Sequence, residues 1–493
     1  GGVLHVRATG QGNLRATGTS AYPQHDRIQA SLPSWPTAGQ PYRIRARMRW
    51  LAGWPFARVT LGWGWMEARV DLQAPSNLGT PGAVNSRVIS NAPPAVFDLR
   101  HDPVLPAAGQ AVTVACRVED PDGITSVSLE YRNTSGQNYT AIAMQDHGEG
   151  GDVLAGDGIV SATIPGHAAG TLVGFRVVAT DASAVPAVRH YPGDDILEDA
   201  LVRFGQAPPT GRLHHYSLWV SPENEALWLA MPTRSNERFD MTFVYNKWRA
   251  VYNGKVRYRG NIRRYETIED AGHSFDLPKT ERFLGSDEVK LDIVARNASN
   301  GTLQQEMHSY WTSRKAGQPA SQLRFVRSML NGGNRLRHDF EPSSREFCSY
   351  WYDDEDPHVF EHRTLDVLDL HLRSDGSWNQ EKYAYGVQKK TTTVPDMDYR
   401  RFPLIAEALR ETDEEVAVAR LRALVDPFGA AAYFALNRVT GQRDSYGWYH
   451  PHNCYFYASA DRRMRLHLVD MDAAYTLDEG LYPNGTPANL FAK

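Results

Sequence analysis

Cysteine is scarce in this sequence. Cys116, Cys348 and Cys454 are the three among 493 residues, far apart and odd in number. No CxxC spacing exists, so neither a zinc framework nor a disulfide framework is indicated. Each is expected to be a small buried apolar group. Long apolar runs are also missing. None approaches the roughly 20 residues of a membrane-spanning helix. Excess charge of one sign is absent: a net charge of −4 argues against a nucleic-acid-binding surface spread over the molecule, and leaves room for a local basic pocket. No leader-like segment opens the sequence. It starts GGVLH without Met, and the expectation is a processed or cut N-terminus. Internal repeats and low-complexity tracts are lacking too.

What is present points to several β-rich units. The length favours two to four domains. Hydrophobic residues make up 42% and charged residues 22%, ordinary for a globular protein, while 12 tryptophans and 23 tyrosines suit pleated, half-buried surfaces.

Residues 1–75 read as a β-sandwich. In PYRIRARMRW, residues 41–50, Tyr42, Ile44, Ala46, Met48 and Trp50 alternate with four arginines, the pattern of a strand with one wet face. VTLGWGW supplies another strand. Trp54, Trp63 and Trp65 form either a platform for sugar rings, as in a carbohydrate-binding module, or the packing of the core; burial tendencies favour packing. Residues 76–94, rich in Pro, Gly, Asn and Ser, read as a linker. Residues 95–205 read as an immunoglobulin-like β-sandwich, with short strands in AVTVACRVED, SVSLEYRN, AIAMQD, GIVSATIP and LVGFRVVATDAS. The connection 146–158 carries Asp146, Glu149, Asp152 and Asp157 among glycines. Its two readings are a calcium site and a metal-free Gly/Asp turn, and the second is favoured because EF-hand spacing is absent.

From residue 206 the composition changes and helical stretches appear. Leu404, Ile405, Ala408, Leu409, Val416, Val418, Leu421 and Leu424 roughly follow helical spacing, and Thr412 with Glu415 fits a capping box opening a second helix. The last unit is therefore mixed α and β.

The stretch HNCYFYASADRRMRLHLVDMD carries the chemistry. Cys454 and Phe456 alternate with Tyr455 and Tyr457. After a turn, Met464, Leu466 and Leu468 alternate with Arg465, His467 and Val469. This is a hairpin. The start of one antiparallel strand lies beside the end of the next, so Asn453 comes near Asp470, with Asp472 beyond. Carboxylates at a strand end plus an amide oxygen suit Mg²⁺, which keeps oxygen ligands and phosphate oxygens. The plain alternative is that these acids end a strand and accept backbone N–H groups. Protein kinases hold Mg²⁺ with an Asn and a later Asp, and use an Asp shortly before the Asn as base. Asp444 is the nearest upstream candidate here, nine residues before Asn453.

Several short motifs in fixed order add to the hairpin. HHYSLWVSPEN is followed by TFVYNKWRAVYNGKVRYRGN with Arg259-Gly260-Asn261, FVRSMLNGGN, YGVQKKT, HNCYFY and VDMD. In this order, residues 206–493 resemble the CotH (spore coat protein H) kinase-like family. The preceding β modules resemble those of large secreted or surface bacterial proteins. The resemblance implies a multidomain chain: two N-terminal all-β sandwiches, then an α+β atypical protein-kinase-like domain, C-terminally short. It implies transfer of the γ-phosphoryl of ATP to Ser or Thr of a secreted or surface protein, with Mg²⁺ or Mn²⁺ as cofactor.

Carried over residue by residue, Asp444 would be the catalytic base, Asn453, Asp470 and Asp472 the metal ligands, and Lys389, Lys390, Arg259 and Arg264 the phosphate-contacting cations. Where the family carries a KKSY-like segment, this chain reads AGHSF, with Gly272 and His273. The compensating cations would be Arg263, Arg264, Lys279, Lys389 or Lys390. Expected partners are a protein substrate and glycans or matrix through the first sandwich, with no nucleic acid and no membrane span. The alternatives are a pseudokinase serving as an adhesion or matrix protein, and a nucleotide-dependent amino-acid ligase on the same fold.

Overall fold

The computed structural model describes residues 56–61, 66–72, 89–136, 138–149, 151–207, 209–230, 237–259, 268–293, 304–342, 345–354, 357–362, 368–379, 383, 387–389, 399–442, 445–446, 453–458, 463–471 and 474–475. Strands predominate over helices. Strand β1 (Phe56–Leu61) pairs antiparallel with β2 (Met66–Asp71), which accounts for part of the VTLGWGW expectation. Residues 41–50 and Trp54, Trp63 and Trp65 lie outside the described residues.

A two-sheet unit follows. Its strands are β3 (Ala95–Asp102), β4 (Val112–Glu119), β5 (Ile124–Asn133), β6 (Thr140–Ala143), β7 (Ile159–Ile164), β8 (Leu172–Asp181), β9 (Val188–Tyr191) and β10 (Ala200–Arg203). One sheet has the order β3-β4-β7. The other runs β10-β8-β5-β6, with β9 on β8. Alternation does the sorting: Val112, Val114 and Cys116 of β4 point into a core shared with Leu129, Val173, Phe175 and Val177. In the acidic connection, Asp146, Asp152 and Asp157 bring their carboxylates within 4.8 Å of one another. Asp146 accepts the N–H groups of Gly156 at 2.5 Å and Gly158 at 2.9 Å, bonds that hold the turn.

The same core extends into the next unit, because Trp219, Val244 and Tyr252 belong to it. Polar staples cross the junction as well. Tyr252 donates its hydroxyl to His101 Nδ1 at 2.5 Å, and the buried Arg132 reaches Asp199 at 2.7 Å and Glu223 at 3.1 Å.

That next unit is a closed seven-stranded barrel of β11 (His214–Trp219), β12 (Phe239–Tyr245), β13 (Arg249–Tyr258), β14 (His273–Asp276), β15 (Glu288–Ile293), β16 (Leu323–Leu330) and β17 (Arg335–Phe340), in the order β11-β12-β13-β14-β15-β17-β16. Parallel pairing of β11 with β16 closes it. Tyr216, Leu218, Phe243, Phe275, Leu291 and Val326 pack in one core. Helix α1 (Pro222–Ala230) follows β11; Pro222 suits the first turn, and Ser221 Oγ accepts the Asn224 N–H at 3.2 Å. Helix α2 (Gln305–Lys315) joins β15 to β16 and sends Tyr310 into the core beneath the barrel.

The C-terminal unit holds α3 (Arg345–Tyr352), β18 (His358–His362), β19 (Val387–Lys389), α4 (Arg401–Leu409), α5 (Glu414–Leu424), α6 (Pro427–Thr440), β20 (Cys454–Ala458) and β21 (Met464–Leu468). Its sheet has the order β19-β18-β20-β21. Strand β20 is buried on both faces. Cys454, Phe456 and Ala458 meet Tyr310, Phe402 and Tyr433 on one side, while Tyr455 and Tyr457 meet Phe347, Cys348 and Val359 on the other. The capping box at Thr412 and Glu415 is corrected: Asp413 caps α5, accepting the Val416 N–H at 3.2 Å. An Asp one residue later satisfies the orphan donor in the same way. All three cysteines are buried and unpaired, as the sequence suggested.

Candidate active site

Two lobes meet at the open end of the β20–β21 hairpin. Cys454 pairs with Leu468, so Asn453 precedes the last rung and Asp470 lies just beyond it at the same end. Both residues are left-handed, with φ of 54° at Asn453 and 53° at Asp470. Asn and Asp tolerate that region better than other L-residues. Helix α6 buttresses this end. Gly441 closes the helix at φ 66°, and the buried Gln442 then donates from Nε2 to the Asp470 carbonyl. Tyr433 donates its hydroxyl to the Asn453 carbonyl at 3.5 Å, and the Tyr475 N–H donates to Thr440 at 2.7 Å.

The barrel supplies the facing wall. Arg259, one residue past β13, pairs with Asp292 of β15 and sits over the Phe340 ring, 5.5 Å from its centroid. Asp292 is directly opposite His338 in the ladder, and His338 Nδ1 lies 3.4 Å from Glu306 Oε2 on α2. Tyr310, one turn further along α2, closes the chain. Burial pushes its hydroxyl pKa well above the usual value, and the negative charges of Glu306 and Asp470 push it further up, against the opposing Met471 backbone and Arg259. Asp470 of the hairpin thus acts on the same hydroxyl as Glu306 and Arg259 of the barrel side. Three carboxylates stand against one guanidinium among these groups, a donor set whose charge suits a divalent cation.

The structure bears unevenly on the residues singled out above. Asn453 and Asp470 share the hairpin end, and Arg259 stands on the opposite wall. Lys389 ends β19 in register with Phe360, which in turn pairs with Phe456, so its backbone lies along the sheet rather than at the Asn453 end. Asp444, Asp472, Lys390, Arg263 and Arg264 lie outside the described residues. Lys279 is exposed in the β14–β15 connection. His273 is buried in the barrel wall, its Nε2 bonded to the Ile268 carbonyl at 2.7 Å, and burial lowers its pKa to about 4. It is a neutral group, not a cation. Asp292, Glu306, Tyr310 and His338 escaped the sequence reading. Their only signal is polar residues falling on core-facing positions of strands and helix.

Residues 256–489 match the family model described as CotH kinase protein. The chain carries a CotH-family domain. The matched segment begins inside β13, so β11 and β12 of the barrel lie outside it, and it contains both walls of the site. The match supports a kinase-type function, for which ATP and a divalent metal would be the implied cofactors. No curated protein matches the chain.

Proposed function

We propose that the CotH domain transfers the γ-phosphoryl group of Mg-ATP to a serine or threonine hydroxyl of a secreted or surface protein, and that it works outside the cell. The reading rests on one observation: the hairpin register puts Asn453 and Asp470 at the same end of β20–β21, inside the matched segment that also carries Arg259. An acid-and-amide end facing a cation-bearing wall is the arrangement phosphoryl transfer needs, since catalysis there is mostly positioning and charge neutralisation.

Asn453 and Asp470, with Asp472, would hold the metal, which when bound neutralises the nucleotide's phosphate charge. Asp444 is assigned by family resemblance to take the acceptor hydroxyl's proton as the new oxygen–phosphorus bond forms and ADP leaves. Arg259 would steady the phosphates, with Arg264, Lys389 and Lys390 as the further cations the resemblance names.

A second reading keeps the fold without the reaction. It is favoured by His273 being neutral and by the Arg259 guanidinium being already paired with Asp292. The two separate by transfer of labelled γ-phosphate to the protein itself or to an acidic test protein. Label transfer in the wild type that vanishes in Asn453→Ala and Asp470→Asn supports the kinase. Equal labelling in all three proteins, or none in a folded wild type with Mg²⁺ and with Mn²⁺, sinks it.

A further inference from the structure

Where the two-sheet unit meets the barrel, a cleft of about 520 Å³ opens. Small-molecule sites run roughly 300–1,000 Å³. One wall carries Ser135, Thr171 and Arg203; the other carries Glu225 of α1 and Asn331 of the β16–β17 turn. The Arg203 side chain runs along Gly332. A Cβ built on that glycine would lie 3.1 Å from Nη2 and 3.5 Å from Cζ, and its φ of 102° already excludes most other residues.

Other arginines of the same unit, buried or partly buried, are paired. Arg176 meets Glu130 at 2.8 Å and Arg132 meets Asp199 at 2.7 Å. Arg203 differs: among the described residues it has no ion pair and no hydrogen bond. Burial pushes its pKa down, and no acidic neighbour offsets that. The carboxylate that shares the cleft is engaged elsewhere. Glu225 Oε2 accepts from Asn331 Nδ2 at 2.8 Å, and Asn331 is locked to Val220 by two bonds of 3.0 Å.

A half-buried guanidinium with no counter-charge gains most from an anion that can take its fork of donors. We propose that this cleft binds a small carboxylate-bearing ligand, its carboxylate on Arg203 and its polar body against the Ser135 and Thr171 hydroxyls. Glu225 in the same cleft repels any anion and a dianion more strongly, so a carboxylate on Arg203 is disfavoured less than a phosphate dianion. Carboxylates of this size come from sugar acids and from peptide C-termini. The site is independent of the proposed phosphoryl transfer.

Calorimetric titration of the full chain with D-glucuronate and with acetyl-Ala-Ala tests it, glucose and the dipeptide amide being the neutral controls. Binding of either acid, weakened about tenfold or more in Arg203→Gln and unchanged in Asp470→Asn, is expected; a charge-assisted pair lost is a change of that size. Which acid binds identifies the source. The proposal fails if neither acid binds at tens of millimolar, if the neutral control binds as well as its acid, or if Arg203→Gln binds like the wild type. Should Arg203→Gln not fold, Arg203→Lys decides, because it keeps the charge and loses the fork: undiminished binding there overturns the site.

Discussion

Arg259 and Asp292 are paired across the mouth of the barrel, with side chains only 18% and 10% exposed. The pair is therefore a desolvated one, and its worth differs from that of a surface contact. Removing Arg259 leaves the Asp292 carboxylate in low dielectric, opposite His338 in the ladder.

Arg259→Ala is expected to cost about 3–5 kcal/mol of stability, the usual penalty for stranding one member of a buried pair. Chemical denaturation measures it. A loss under about 1 kcal/mol would match a solvent-screened contact instead. Arg259→Lys should recover part of the stability, since charge returns without the fork.

Asp470→Asn is expected to leave stability without metal nearly unchanged or slightly higher, because it removes a negative charge that acts on Tyr310 alongside Glu306. A ligand that binds only the folded state raises the melting temperature. The Mn²⁺-dependent rise expected of the wild type should therefore be absent in this variant. Persistence of the full rise would put the metal elsewhere.

The hairpin was legible because period-two alternation is strict there. Cys454 and Phe456 on one face, and Tyr455 and Tyr457 on the other, enter separate cores as their spacing implies. The strands of the two-sheet unit were legible for the same reason. The barrel was not. Its closure depends on β11 pairing with β16, so His214 lies beside Val326 across a long sequence gap, and no local pattern encodes such a register. Glu306 and His338 were hidden for a related reason. Each looks like a surface residue in its own segment and becomes buried only when α2 docks on the barrel. Trp219 reads as a strand residue of the last unit, yet its ring belongs to the core of the unit before it.

Stability should fall with acidity partly through His101. Its ring is fully buried between the Tyr252 hydroxyl and the Val104 carbonyl, and burial lowers its pKa from 6.5 to about 4. Above pH 6.5 the ring is neutral in both states and its full contribution is present. As pH falls, the unfolded chain takes the proton first, so that contribution is lost down to about pH 4 and then levels off. The loss amounts to about 3 kcal/mol. The buried Asp199 and Asp339 have raised pKa values and act in the opposite sense, so the clean measurement is a difference. The stability gap between wild type and His101→Gln should shrink from pH 7 to pH 4. A gap independent of pH would show that the ring titrates normally.

The shared core makes a specific demand on any shortened chain. Trp219 and Val244 are fully buried and Tyr252 nearly so, all against residues of the two-sheet unit. A chain beginning at residue 206 would expose all three side chains. Aromatic residues bury about 150–250 Å² each, so the exposed area forfeits on the order of 10 kcal/mol at about 25 cal/mol per Å². That equals the whole stability of an ordinary domain, about 5–15 kcal/mol. Two polar partners vanish as well: Glu223 loses Arg132, and Thr242 Oγ1 loses the Leu201 N–H it accepts at 2.9 Å. The chain from 206 should therefore be insoluble or lack a cooperative melt, whereas one from residue 89, keeping β3 to β10, should melt as a single unit with the barrel. Calorimetry on both separates the outcomes. A cooperative, soluble barrel from residue 206 would mean that the junction is a docking contact rather than a common core.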